Sequence, residues 1–316
     1  MKRALRVLLI TPLVLFALLL VAYFVFTHHV AYAIPAEQRP PPSWSQADAG
    51  VITIRYLGVS GYEITDGVTT ILTDPTPTRP TPLALITGPV DADPALGAQW
   101  CPKADLILVN HAHHDHALDV GAIGKRTGAL VAGSQNAVNL ALSRGVAPEK
   151  TRVVKQGDSF TVGAFTIDVR SSRHAKVTSF LTGPIPADAK PTWFFGYGLD
   201  DTFAYRISGH GTTIWFHPTS TFAPGELGGL TAQTLIVGIN GEALTPEKVK
   251  LLLAESKAVR VLPTHYDNFF QPLDRGLAKM PMLDVDAPRA LFLAEDPKVE
   301  WGMLDFGQSI SVPADP

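Results

Sequence analysis

The segment Ala104-Asp105-Leu106-Ile107-Leu108-Val109-Asn110, followed at once by His111-Ala112-His113-His114-Asp115-His116, restricts this chain more than any other feature. The unbroken apolar run Leu106 to Val109 has the pattern of a strand buried on both faces. A loop leaving such a strand aims its side chains into one cavity while the strand holds its root rigid. Four of the ten histidines fall within those six residues. Clustered imidazoles beside a carboxylate are costly to pack without a metal or solvent, so a merely polar loop of stacked histidines is the weaker reading. Neutral imidazole suits zinc, and three protein nitrogens leave a fourth position for a water whose pKa drops toward ~7. The expected nucleophile is the resulting hydroxide, and a second metal ~3.5 to 4 Å away would stabilise the oxyanion or leaving group.

With 316 residues, 46% of them apolar and 17% charged, the chain has enough apolar material for one sizeable core. A net charge of -3 and a pI near 6.4 leave no basic surface of the kind that neutralises nucleic-acid phosphates, so no nucleic-acid partner is expected. Cys101 is the only cysteine, which excludes an intramolecular disulfide and a multi-thiolate metal site. Any metal must be held by nitrogen and oxygen. Cys101 itself, between Trp100 and Pro102, reads as a small buried residue.

The N-terminus separates by composition. Lys2, Arg3 and Arg6 precede an apolar run from Val7 to Phe26 broken only by Thr11 and Pro12. About twenty helical residues span ~30 Å, the hydrocarbon thickness of a bilayer. The run has no polar face and predicts a membrane helix. Two readings stay open: an uncleaved anchor, or a signal removed after Ala31-Tyr32-Ala33, an A-x-A pattern. Either way the basic flank places the body on the extracytoplasmic side, anchored in one reading and secreted in the other. Residues 34–50, with Pro35, Pro40, Pro41 and Pro42, read as an extended Pro-rich tether. The chain thus divides into a membrane or signal segment (1–33), a linker (34–50) and one domain (51–316).

Within the body, Val51 to Leu57, Tyr62 to Thr65 and Thr69 to Thr73 predict an antiparallel meander. Residues 75–100 are rich in Pro and Gly and predict a long loop forming one wall of the site. Strands are expected over 129–132, in short pieces over 152–170, over 203–208 and 212–216 around the turn Gly209-His210-Gly211, and over 235–239 and 259–262. Helices are expected over 135–143 and from Thr245-Pro246 to about Ala258, the latter with a Thr cap and an N1 proline. Meanders followed by alternating strands and helices, in two similar halves, predict two sheets packed face to face with helices outside.

On Gly58 to Gly61, Asp74-Pro75, the cluster at 111–116, Ser172-Arg173-His174 and Pro263-Thr264-His265, residues 51–310 resemble the metallo-beta-lactamase superfamily. They are most similar to its branch of ascorbate-phosphate lactonase-like and N-acyl-phosphatidylethanolamine phospholipase-like proteins. The resemblance implies an α/β fold, a four-layer αββα sandwich of two mixed sheets. It implies one or two divalent ions, zinc by preference, the first held by His111, His113 and His174 and the second by Asp115, His116 and His265. Asp115 would also steer a proton, as the catalytic residue. Family members carry a bridging Asp in a Gly-Asp pair at a strand end, and here Phe216-His217-Pro218-Thr219 stands in that place without a carboxylate. His217 is either a metal ligand replacing the bridge or a structural hydrogen-bonding residue. Asp74 is either an Asp-Pro turn or a support that orients a ligand. His114 is expected behind the ligands, while His28, His29 and His210 are expected at the surface.

Three functional readings are open. The first is hydrolysis of an ester, phosphodiester, lactone or amide by metal-bound hydroxide, on a small-molecule or lipid-derived substrate. The second is a catalytically silent metal-binding domain, suggested by the missing bridge. The third is a di-iron redox protein on the same fold, disfavoured by a carboxylate-poor site. Trp193-Phe194-Phe195 and Phe269-Phe270 either line a lipophilic pocket or pack in the core.

Overall fold

In a computed structural model the described residues are 2–45, 52–176, 181–191, 193 and 196–314. The expected meander is β1 (Ile52–Gly58), β2 (Gly61–Thr65) and β3 (Thr70–Thr73), paired antiparallel. Next to β3 lie three parallel strands: β4 (Leu106–Leu108), β5 (Leu130–Gly133) and β6 (Thr151–Val153). The second sheet repeats this plan. β7 (Ser159–Val162), β8 (Phe165–Ser171), β9 (Phe203–Gly209) and β10 (Thr212–His217) are antiparallel neighbours. β11 (Thr234–Gly238), β12 (Arg260–Thr264) and β13 (Glu300–Trp301) come next, in parallel. The last strand, β14 (Ser309–Val312), returns to pair antiparallel with β1 and closes the first sheet at seven strands. Both sheets are therefore mixed, as expected.

Side-chain alternation explains the layering. Leu106 and Leu108 point into the main core with Ile54, Ile71, Ile167, Tyr205 and Ile236, so the two sheets face each other. Ile107 and Val109 point the other way, onto Val120 and Ile123 of α5 (Val120–Thr127), which follows the single turn α4 (His114–Ala117), and onto Leu140 of α6 (Gln135–Ser143). On the far face of the second sheet, Val249 and Leu252 of α7 (Pro246–Ser256) and Phe292 of α8 (Asp286–Glu295) complete the fourth layer. The turn at His210-Gly211 has positive φ at both residues, 51° and 73°, the conformation that lets a two-residue loop follow the strand twist.

Two expectations change, and a third is not met among the described residues. The stretch 75–100 is not one loop: it contains α2 (Pro82–Thr87), capped by the Thr81 side chain, and α3 (Pro94–Trp100), capped by Asp93, each with Pro in its first turn. The Pro-rich linker is not an extended tether where it is described. Ile34 and Trp44 are buried in the main core, and the Gln38 amide bonds Asp286 at 2.7 Å and receives the Trp301 indole at 2.7 Å. Residues 46–50, the rest of that segment, lie outside the described residues. The N-terminal run forms one helix, α1 (Lys2–Thr27). Among the described residues, which for side chains of this helix means Thr11 and those from Val14 on, no helix is long and apolar enough to cross a membrane.

Candidate metal centre

The chemistry-bearing residues leave the C-terminal ends of strands in both sheets. Asp74 follows β3, the histidine cluster follows β4, Ser172-Arg173-His174 follows β8, His217 ends β10 and His265 follows β12. Ligands of α/β sheets gather outside such strand ends, because side chains of several strands converge there.

Hydrogen bonds on the far side of each ring decide what it presents to the site. His111 is fully buried, and its Nδ1 lies 2.5 Å from Asn110 Oδ1. The Asn110 amide donates to the Phe203 carbonyl, which orients Oδ1 as the acceptor. His111 thus carries its proton on Nδ1 and turns the Nε2 lone pair inward. His113 donates from Nε2 to the Leu181 carbonyl at 3.2 Å, which frees Nδ1. His174 donates from Nδ1 to the Ala175 carbonyl at 2.7 Å, which frees Nε2. Burial pushes all three imidazoles below their ordinary value, His174 to about 4, so each is neutral at pH 7.

The consequence is that His111 Nε2 and His113 Nδ1, both acceptors, face each other 3.1 Å apart. Two lone pairs in that arrangement repel unless a cation lies between them. Nitrogens bonded at ~2.0 to 2.1 Å to one zinc at a tetrahedral angle stand ~3.3 to 3.4 Å apart, close to the separation found. One ring nitrogen each of His111, His113 and His174 lies within 4.8 Å of the others. The donor set fits a divalent ion.

A second group joins His111 to Asp115 and His116 within the same limit. His116 donates from Nδ1 to Asp74 Oδ2 at 2.7 Å, while Asp74 Oδ1 accepts from the Asn110 backbone at 2.7 Å. Asp74 therefore fixes both the His116 tautomer and the strand end that starts the cluster. Burial alone would lower the His116 pKa, but Asp115 and Asp74 raise it above the usual value. Burial likewise opposes ionisation of Asp115, yet the charge of His116 and the hydrogen bond from His265 hold it well below the carboxylate range. Asp115 is an anion beside the site.

His265 converges on this group but is presented differently. Its Nε2 lies 3.3 Å from Asp115 Oδ2. Its Nδ1 lies 3.3 Å from Asn240 Nδ2, and Asn240 Oδ1 accepts from the Gly241 backbone at 2.8 Å. The amide thus offers its NH2 to His265 Nδ1, which places an N–H on Nε2, pointing at Asp115. The left-handed backbone at His265 (φ 64°) is held by a 2.6 Å bond from its amide to the Val59 carbonyl. Val59, also left-handed at 53°, donates to Asp267 Oδ1 at 2.7 Å, and the other Asp267 oxygen meets Arg79 at 2.6 Å in a buried ion pair. Such backbone persists only where its surroundings over-determine it.

His217 is not brought to either group, which corrects the expectation of a metal contact. Its Nδ1 faces the Thr219 carbonyl at 3.1 Å, and its Nε2 meets Glu226 at 2.7 Å and Ser172 Oγ at 3.2 Å. Both ring nitrogens are engaged by protein. Beyond the end of β10, the cavity wall is formed by Pro218, Thr219 and Ser220, with no carboxylate. The cavity holds about 450 Å³ and opens beside His113, Asp115, His116, His174 and His265. His114 lines it too, and Phe269 and Phe270 form part of its wall, whereas Phe194 and Phe195 lie outside the described residues. Cys101 is buried, which pushes its thiol up to about 12 and leaves it inert. Asn110, Asn240, Glu226 and the Arg79–Asp267 pair belong to this machinery without any spacing signal in the sequence.

The profile of the beta-lactamase superfamily domain matches residues 53–265, from β1 through His265. The chain belongs to that superfamily. Among superfamily relatives, a UPF0173 metal-dependent hydrolase of Symbiobacterium thermophilum is 46% identical over 78 residues, 25% of this chain and 30% of the relative. One from Cupriavidus taiwanensis is 33% identical over 173 residues, 52% of this chain and 56% of its own length. The chain thus spans about half, or less, of these relatives. Among solved structures, the metallo hydrolase Igni18 of Ignicoccus hospitalis shares the fold with a TM-score of 0.58 at 16% identity, covering 83% of this chain and 99% of that one. An isothiocyanate hydrolase from Delia radicum gut bacteria does so at 0.54 and 13%, with 83% and 99% covered.

Proposed function

We propose that this protein is a metal-dependent hydrolase in which His111, His113 and His174 hold one divalent ion, zinc by donor preference, and Asp115 handles the proton. The observation that carries this reading is the pair of opposed lone pairs on His111 and His113, which needs a cation. Relatives named metal-dependent hydrolases support it. A divalent ion in such a set supplies Lewis acidity and brings the pKa of a coordinated water to ~7. Asp115, kept anionic, accepts a proton from the attacking water and returns it to the leaving group; the N–H of His265 holds its Oδ2 in place. The bond cleaved belongs to the class of esters, phosphodiesters, lactones and amides.

The second ion of the expected pair would have Asp115 and His116 as ligands and would take His265 only if the Asn240 amide turned over. With no carboxylate among Pro218, Thr219 and Ser220 after β10 to bridge the ions, it binds more weakly than the first. The test is turnover of a panel of esters, lactones, amides and phosphodiesters by zinc-loaded protein, with His113→Ala as control. Turnover that disappears in His113→Ala supports the reading, and metal-loaded protein inert on every bond class contradicts it.

We also propose that α1 anchors the domain in a membrane, with the body extracytoplasmic. Support comes from apolar side chains exposed on all sides of the helix, among them Leu15, Phe16, Leu18, Leu19 and Phe24, and from the basic residues before them. Fractionation of the full chain against a chain lacking residues 1–33 checks this: recovery of the full chain in the soluble fraction, with its N-terminus intact, refutes the anchor.

A further inference from the structure

Apart from the metal-binding residues, the cavity wall is largely apolar: Pro82, Leu85 and Ile86 of α2, Leu181, Phe269 and Phe270. Its remaining polar groups are neutral. Ser220 Oγ donates to the Asn240 carbonyl at 3.0 Å and accepts from the Glu242 backbone at 2.8 Å, so it is already engaged within the protein. No Lys or Arg is among the described residues that line the cavity, and the undescribed stretch beside His174, residues 177–180, contains none in its sequence. Arg79 is locked to Asp267, and Arg173 and Lys176, on the segment carrying His174, are exposed and do not line the cavity.

Resting on the hydrolase reading above, we infer that the substrate is an uncharged carboxylic ester, lactone or amide whose apolar part lies against Leu85, Ile86, Phe269 and Phe270. A cavity of about 450 Å³ is within the ~300 to 1,000 Å³ usual for small-molecule sites. A charge pressed against Leu85, Phe269 and Phe270 would lose part of its hydration and meet no cationic partner among the described lining residues, which disfavours a substrate with an ionised group at that place. A phosphodiester brings a full negative charge to the reacting centre and is normally clamped by Arg, Lys or a tightly held metal pair. Here the chain after β10 brings Pro218, Thr219 and Ser220 to the cavity and no carboxylate to tie two ions, and no Arg or Lys is among the described residues that line it. An acyl compound arrives neutral, and charge develops only at its carbonyl oxygen. The oxygen of water adds to the carbonyl carbon; the bond from that carbon to the leaving oxygen or nitrogen breaks with its electron pair on the leaving atom, which takes up the proton that Asp115 received. The products are a carboxylic acid and an alcohol or amine. Phe270 also packs edge-on against Phe26 at the end of α1, with centroids 5.5 Å apart, which makes the wall continuous with an apolar exterior.

Two probes of equal length that cannot be hydrolysed test this without turnover: 2-octanone, and 7-oxooctanoate, which differs by a carboxylate at the end remote from the ketone. Ligand-observed NMR on the zinc-loaded full chain is expected to show 7-oxooctanoate at least ~10-fold weaker, ~1.4 kcal/mol. Ile86→Lys changes a side chain that is 54% exposed and so leaves the core alone; it is expected to bring the two affinities within ~3-fold by strengthening the acid. Equal or tighter binding of 7-oxooctanoate by the unaltered protein, or no binding of either probe, overturns the inference. In a parallel assay methyl octanoate should be cleaved at least ~100-fold faster than methyl octyl phosphate. Preference for the phosphate overturns the inference, whereas selective binding of 2-octanone by a protein inert on the whole panel of esters, lactones, amides and phosphodiesters overturns the hydrolase reading and leaves the binding inference standing.

Discussion

The two halves of the histidine cluster are built to different standards. On one side His111, His113 and His174 each spend one nitrogen on a carbonyl or amide oxygen and turn the other toward a common point. On the other side only His116 is prepared this way, by Asp74, while His265 offers an N–H to Asp115 and the position after β10 is a proline. Converging side chains therefore do not by themselves make a metal site. The hydrogen-bond partner behind each ring decides whether it arrives as a lone pair or as a proton.

Removing a ligand from the prepared side should cost the most. His113→Ala should abolish tight metal binding and lower turnover by about three orders of magnitude or more, ~4 kcal/mol of barrier, with the fold retained because the ring sits at a cavity edge. Circular dichroism and bound-metal analysis check both halves of that statement. A smaller effect is expected behind His265. Arg79→Met strands the buried Asp267 carboxylate and should cost about 3 kcal/mol of stability in urea, whereas Arg79→Met combined with Asp267→Asn, which removes the stranded charge and keeps an amide oxygen for the Val59 N–H, should recover part of it. Full stability in the single variant would mean that the pair does not hold the Val59 and His265 turns.

Asp74→Asn probes the support behind His116. Loss of its charge should weaken affinity for the second ion ~10- to 100-fold while changing stability less than Arg79→Met does. His217 should matter least to the ion. His217→Gln should change metal affinity less than ~3-fold, because the imidazole acts on Ser172, Thr219 and Glu226 and not on the metal. A loss above ~10-fold in chelator competition would return His217 to the coordination sphere.

Much of this was legible from residue order alone, where periodicity and local chemistry carry the signal. The apolar run 106–109, the turn at His210-Gly211 and the capped start of α7 all read correctly because neighbours in sequence are neighbours in space. The cap signals Thr81-Pro82 and Asp93-Pro94 were present too, but the surrounding Pro and Gly suggested a loop and hid two short helices. Pairing of β14 with β1, and burial of Ile34 and Trp44, depend on contacts across the whole chain that no window of residues reveals. His217 misled for a related reason. A histidine at a strand end in place of an aspartate suggests a ligand, and only the packing of Glu226, nine residues on, shows that its ring is already satisfied. The tautomer of His265 depends on Asn240, twenty-five residues away, and on the Gly241 amide that orients it.

Anomalous diffraction at the zinc edge, from crystals of the full chain grown with one equivalent of zinc, distinguishes the prepared half from the unprepared one. One strong peak is expected at ~2.0 to 2.1 Å from His111 Nε2, His113 Nδ1 and His174 Nε2. A peak bound instead by Asp115, His116 and His265, or two equally occupied ions with His265 coordinating through Nε2, would show that the hydrogen bonds behind the rings do not select the site.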